Sequence, residues 1–97
     1  MDDTFSTTFW MDFSIAEVDG EVGVRETFKR AFEEWKDDVR YLADLVITLN
    51  HKIHWHWEKD PESPLIEVYE DLWEKSDLWA LENLSEKDLS YYLEVTD

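Results

Sequence analysis

The chain has no cysteine, only two glycines and only two prolines in 97 residues. Without cysteine there is no disulfide framework and no thiolate zinc site. With Gly20 and Gly23 as its only glycines, the chain lacks the material for a P-loop or another Gly-rich phosphate cradle, and no nucleophile elbow is present. Bases are scarce too: nine Lys and Arg stand against 25 Asp and Glu, for a net charge of −16. Long apolar runs are missing, and none approaches the roughly 18 residues of a membrane span. The N-terminal stretch MDDTFSTTFW carries acids where a signal peptide needs a basic segment. The expected setting is the cytoplasm. Free nucleic acid and anionic membrane are disfavoured as partners by the sign of the charge alone.

What is present is apolar and aromatic. Hydrophobic residues make up 43% of the chain and six are Trp, which is incompatible with a disordered acidic tail. The length suits one domain, spanning 1–97. Its organising stretch runs from Val24 to Asp60, without Gly or Pro. Phe28, Phe32, Trp35, Val39, Leu42, Val46, Leu49 and Ile53 follow one another in steps of four and three, the seam of a long helix with one buried stripe. The spacing predicts one central helix over about 22–58, roughly 55 Å long at 1.5 Å per residue. Asp37-Asp38 is its weakest point, because Asp is a poor residue in mid-helix.

On either side the pattern stays helical. Residues 5–18 are ambiguous: Phe9, Met11, Phe13 and Ile15 alternate like a strand, whereas Phe5, Phe9, Phe13 and Ala16 step like a helix. Helix is favoured, with Ser6 or Thr7 as its cap, because a lone strand would have no partner elsewhere. Asp19-Gly20 reads as a turn and Glu58 to Pro64 as a loop. Ser63 caps a third helix that Pro64 opens and that ends near Asn83, and Ser85 opens a short fourth. The predicted fold is all-α: an elongated bundle of about four helices around the long central one.

The charge is unevenly placed. Residues 1–21 hold six acids and no base, residues 22–57 six of each, and residues 58–97 thirteen acids and three Lys. Glu67, Glu70, Asp71, Glu74 and Asp77 share one helical face as an acidic ridge. Its density is about one charge per 3 Å of axis, against one per about 3.4 Å along a DNA strand. Ordinary helices also carry solvated acidic faces. Several Trp do not fit a single core stripe. Trp35 and Trp57 sit on the seam, Trp55 lies nearly opposite Trp57, and Trp73 and Trp79, six residues apart, cannot both share one stripe, so Trp55 and Trp79 are candidate anchors for a protein partner. His51, His54 and Glu58 share a face, but with no second His or Cys cluster they do not close a metal site. His56 falls on the seam and reads as a hydrogen-bonded core residue. No catalytic residue, metal or cofactor is expected.

Through FWMDFSIAE, FKRAFEEWKDD, LVITLNHKI and YEDLWEKSD, the chain resembles small uncharacterised acidic proteins of Gram-positive mobile genetic elements. The resemblance covers most of the chain and implies a mobile-element setting, where inhibitors of host defence occur, some of them nucleic-acid mimics. The expected function is a non-enzymatic acidic protein that binds a basic, nucleic-acid-handling protein by charge mimicry. The alternative is an interaction or assembly module anchored by exposed Trp. The oligomeric state is not legible.

Overall fold

The computed structural model describes residues 3–96, with side chains from Phe9 onward. The chain forms α1 (Asp3–Ala16), one turn of 3-10 helix (Glu17–Asp19), α2 (Gly20–Trp35), α3 (Val39–Lys59), α4 (Leu65–Asn83) and α5 (Glu86–Thr96). No strand occurs among the described residues, so the all-α expectation holds and the ambiguous N-terminal stretch is helical. That helix begins at Asp3, ahead of Ser6 and Thr7, which are therefore internal rather than caps. Phe9, Phe13 and Ala16 are buried as the helical stripe requires; the Phe5 side chain lies outside the described residues.

The central helix expected over 22–58 is two helices. Lys36–Asp38 form a corner between them, and Asp38 adopts an extended backbone whose carboxylate accepts from the Arg40 N–H at 3.1 Å as the N-cap of α3. An unbroken helix of that length would outrun the molecule, which measures 38 × 24 × 22 Å. Breaking it lets α2 pack back against α3 and α4. The seam kept its phase because both halves still face the interior, while the Trp35 and Tyr41 rings, 4.4 Å apart, bracket the corner.

Of these helices, α3 is the organising one: it packs against α1, α2, α4 and α5. One core cluster joins Phe9 and Phe13 of α1 and Val24 and Phe28 of α2 to Leu45 and Leu49 of α3 and to Tyr69 and Leu72 of α4. A second joins Leu42, Ala43 and Val46 of α3 to Ala80 of α4 and Tyr92 of α5. The helix starts follow local chemistry. Ser63 Oγ accepts from the Leu65 N–H at 3.2 Å ahead of α4, and Ser85 Oγ from the Asp88 N–H at 3.2 Å ahead of α5. At the α1–α2 corner Gly20 sits at φ 68°, a left-handed conformation that suits glycine. Gly23 allows a close approach, since a Cβ there would stand 2.3 Å from the Ala16 carbonyl oxygen.

Candidate functional site

The acidic ridge lies along α4, but its five residues do not act alike. Glu67, Glu70 and Glu74 are exposed, and none of them joins an ion pair among the described residues. Asp71 is engaged: its Oδ2 accepts from Arg25 Nη1 of α2 at 2.7 Å and lies 3.2 Å from Lys75 Nζ. The Arg25 guanidinium, helped by Lys75, holds the Asp71 carboxyl below its usual range. Asp77 is engaged on the other flank, where its Oδ1 accepts from the hydroxyl of buried Tyr92 at 2.8 Å. Burial and this bond push the Tyr92 phenol well above its ordinary value. The middle of the ridge thus faces solvent, while one edge ties α4 to α2 and the other ties it to α5.

The two candidate anchors also separate. Trp55 is 40% exposed near the end of α3, with its ring edge-on to Trp10 at 6.1 Å. Trp79 is half-buried, edge-on to Phe32 at 5.4 Å and packed against the second core cluster. Trp57, expected on the seam, is instead 52% exposed. The alternation of four and three runs from Ile53 to His56, which is buried, so its neighbour Trp57 stands about 100° around the helix from the stripe. His51, His54 and Glu58 are all exposed, and among the described residues no group of three or more His, Cys, Asp or Glu is arranged to hold a metal ion.

A buried polar cluster, not anticipated as a unit, sits where α1 ends. Glu17, in the 3-10 turn, reaches across to α3 and α4. One carboxylate oxygen, Oε2, accepts from Lys52 Nζ at 3.1 Å, from His56 Nε2 at 3.0 Å and from the Tyr69 hydroxyl. The bond from His56 requires its proton on Nε2. Lys52 is 1% exposed. Its ammonium also donates to Ser14 Oγ at 2.7 Å and lies 4.0 Å from the centre of the Trp10 ring, with Trp55 on another side at 5.6 Å. Two indole faces and one carboxylate replace the water that the ammonium loses, and a desolvated cation–π contact contributes on the order of 2 kcal/mol. Burial still lowers the affinity of Lys52 for its proton, although Glu17 opposes that shift. For Glu17 itself, burial favours the neutral acid, but the bonds from Tyr69 and His56 and the charge of Lys52 outweigh it and leave the carboxyl below its ordinary value. Tyr69, buried and bonded to a carboxylate, is pushed well above its own.

His56 is thus the hydrogen-bonded core residue that its seam position implied. The sequence held a signal for Lys52 as well. Leu45, Leu49, Lys52 and His56 continue a four–three–four stripe, so a Lys on that stripe must be buried and paired. Its partner, far away in sequence, left no local trace. Among the described residues, no buried side-chain nitrogen or oxygen lacks a hydrogen-bond partner. A Glu–Lys–His–Tyr cluster is also raw material for acid–base chemistry, but Lys52 and His56 (7% exposed) are out of reach of a substrate atom in this closed packing. An open groove of about 590 Å³ lies elsewhere, between α1 and α2. In comparisons with known proteins, the chain matches no family model, no curated protein and no solved structure. No helix among the described residues is long and apolar enough to cross a membrane.

Proposed function

We propose that this is a non-enzymatic acidic binding protein of the cytoplasm, one that occupies the basic surface of a nucleic-acid-handling protein by charge mimicry. A role in inhibiting host defence agrees with the resemblance to mobile-element proteins. The observation that carries the reading is how the charges are shared out. Arg25, Lys36, Arg40, Lys52 and Lys75 are taken up by acids of the same chain, so much of the scarce positive charge is spent internally. Glu67, Glu70 and Glu74 remain exposed in the middle of α4. A surface with this excess of carboxylates attracts a basic groove over long range and speeds association. With Asp71 and Asp77 withdrawn, the free carboxylates of the ridge stand about one per 5 Å of axis, sparser than DNA phosphates. Mimicry therefore draws on acids beyond α4.

The alternative, a module anchored by aromatic residues, is favoured by one feature: Trp55 and Trp57 are exposed near the same end of α3. Capture of partners from a lysate at low and high salt, with duplex DNA as competitor, separates the two. Under mimicry the partner is a basic protein, is released by salt and is displaced by DNA. Retention at high salt, unaffected by DNA and abolished by Trp55→Ala, would establish the aromatic module instead.

A further inference from the structure

Resting on the reading that the partner is basic, we infer that the α1–α2 groove is the docking site for a basic amphipathic helix of that partner. The groove has an apolar floor that includes Phe9, Ala31 and Trp35. Its rim carries Asp12, Asp19, Glu26 and Glu34, with Arg30 as the base among the lining residues. None of these four acids joins an ion pair among the described residues, whereas Glu21 and Glu33, also on α2, pair with Arg25 and Lys36.

A second feature meets the groove at Ile15. Met11, Ile15, Val18 and Val22 are 55%, 69%, 87% and 66% exposed, at steps of four, three and four along the chain. They run from α1 over the 3-10 turn onto α2. Met11 and Ile15 stand one helical turn apart on the same face of α1, and Ile15 itself lines the groove, so exposed apolar surface adjoins the acidic rim there. The charges choose the occupant. A second copy of this chain would bring another −16 against an acidic rim. A neutral apolar helix would leave the rim acids without partners. A helix with an apolar stripe and flanking Lys or Arg satisfies both the floor and the rim, the arrangement by which amphipathic helices lie in grooves between helices.

The test uses two synthetic peptides of about 18 residues. One is Leu- and Lys/Arg-rich, with Leu at helical i, i+3, i+4 and i+7 spacing; the other is a scramble of the same composition without the stripe. Each is titrated calorimetrically into the full chain at low salt. The expected result is a single site at which the ordered peptide binds at least about ten-fold more tightly than the scramble, a margin of about 1.4 kcal/mol. That margin should be lost in Asp12→Asn/Glu26→Gln/Glu34→Gln and, separately, in Ile15→Ser, an exposed position that does not endanger folding. It should persist in Glu67→Gln/Glu70→Gln/Glu74→Gln. Equal binding of both peptides, or a margin lost only in the α4 variant, would overturn the groove assignment and leave the acidic-binding reading standing. Binding of neither peptide would overturn both. Self-association that Ile15→Ser relieves in sedimentation would make the groove a copy–copy interface and overturn the assignment too.

Discussion

At the end of α1 a single oxygen of Glu17 accepts from Tyr69, His56 and Lys52, whereas on α4 Glu67, Glu70 and Glu74 stand exposed with no ion-pair partner among the described residues. These carboxylates share the sign of their charge and differ in everything that gives charge a structural role. Glu17 is enclosed where the dielectric is low, so its contacts are strong and their loss would strand a buried cation. The α4 glutamates are hydrated and screened, so each is worth little to the fold. In a chain of net charge −16, the interior acid binds three helices together. The surface acids repel one another and are available to a partner.

The largest expected effect breaks the interior side of this contrast. Glu17→Gln leaves the Lys52 ammonium buried without a counter-charge and should cost about 3–5 kcal/mol in urea denaturation. Lys52→Met should cost less, because Glu17 keeps Tyr69 and His56 as donors. The double variant should cost less than the sum of the two, with a coupling of about 1–3 kcal/mol. Additive losses would mean that the pair contributes nothing as a pair.

Acid sharpens the contrast next. The folded-state pKa of Glu17 lies below its ordinary value of 4.5, and that of Asp71 below 3.8. Both therefore stabilise fully above those values and lose their contribution as pH falls through the lowered ones. Stability should hold or rise slightly from about pH 7 to about pH 5 as repulsion among surface acids eases, then decline below the ordinary carboxylate range. The decline should be shallower in Glu17→Gln, as followed by urea midpoints across the acid range. A steep loss already between neutrality and about pH 5 would mean that surface carboxylates hold essential bridges.

Smaller again is the difference between neighbours on α4. Asp71→Asn removes a 2.7 Å contact to Arg25 of α2 and should cost up to about 1 kcal/mol, since the pair is partly exposed. Glu70→Gln should be silent within about 0.5 kcal/mol. Equal effects in chemical denaturation would dissolve the distinction between the edge of the ridge and its middle.

How much of this was legible in the sequence followed the range of the interactions. Local chemistry was readable: Ser63 and Pro64 opening α4, Ser85 opening α5, the turn at Asp19-Gly20, and a buried His56. Leu42 and Val46 are buried as the seam required, although Leu42 lies in the first turn of α3 and not in the middle of a longer helix. The corner at Lys36–Asp38 was visible only as weakness, because Trp35 to Val39 keeps the seam's four-residue step even though the backbone turns between them. The packing of Trp79 depends on which helices arrive from elsewhere, here Phe32 of α2. The Glu17–Lys52 pair was missed for the same reason. Periodicity marks a Lys as buried but does not name the acid that meets it. On the helix alone Asp71 and Asp77 are equivalent to Glu67, Glu70 and Glu74; the difference comes from Arg25 and Tyr92 on the two flanks.

The contrast turns on the free carboxylates of α4 adding nothing to the stability of the fold. Its most direct test is the urea midpoint of Glu67→Gln/Glu70→Gln/Glu74→Gln beside that of the unaltered chain at neutral pH and low salt. The expected result is an unchanged or slightly higher midpoint, since removing like charges relieves repulsion and breaks no described contact. A fall equivalent to about 1 kcal/mol or more would show instead that these carboxylates hold the structure.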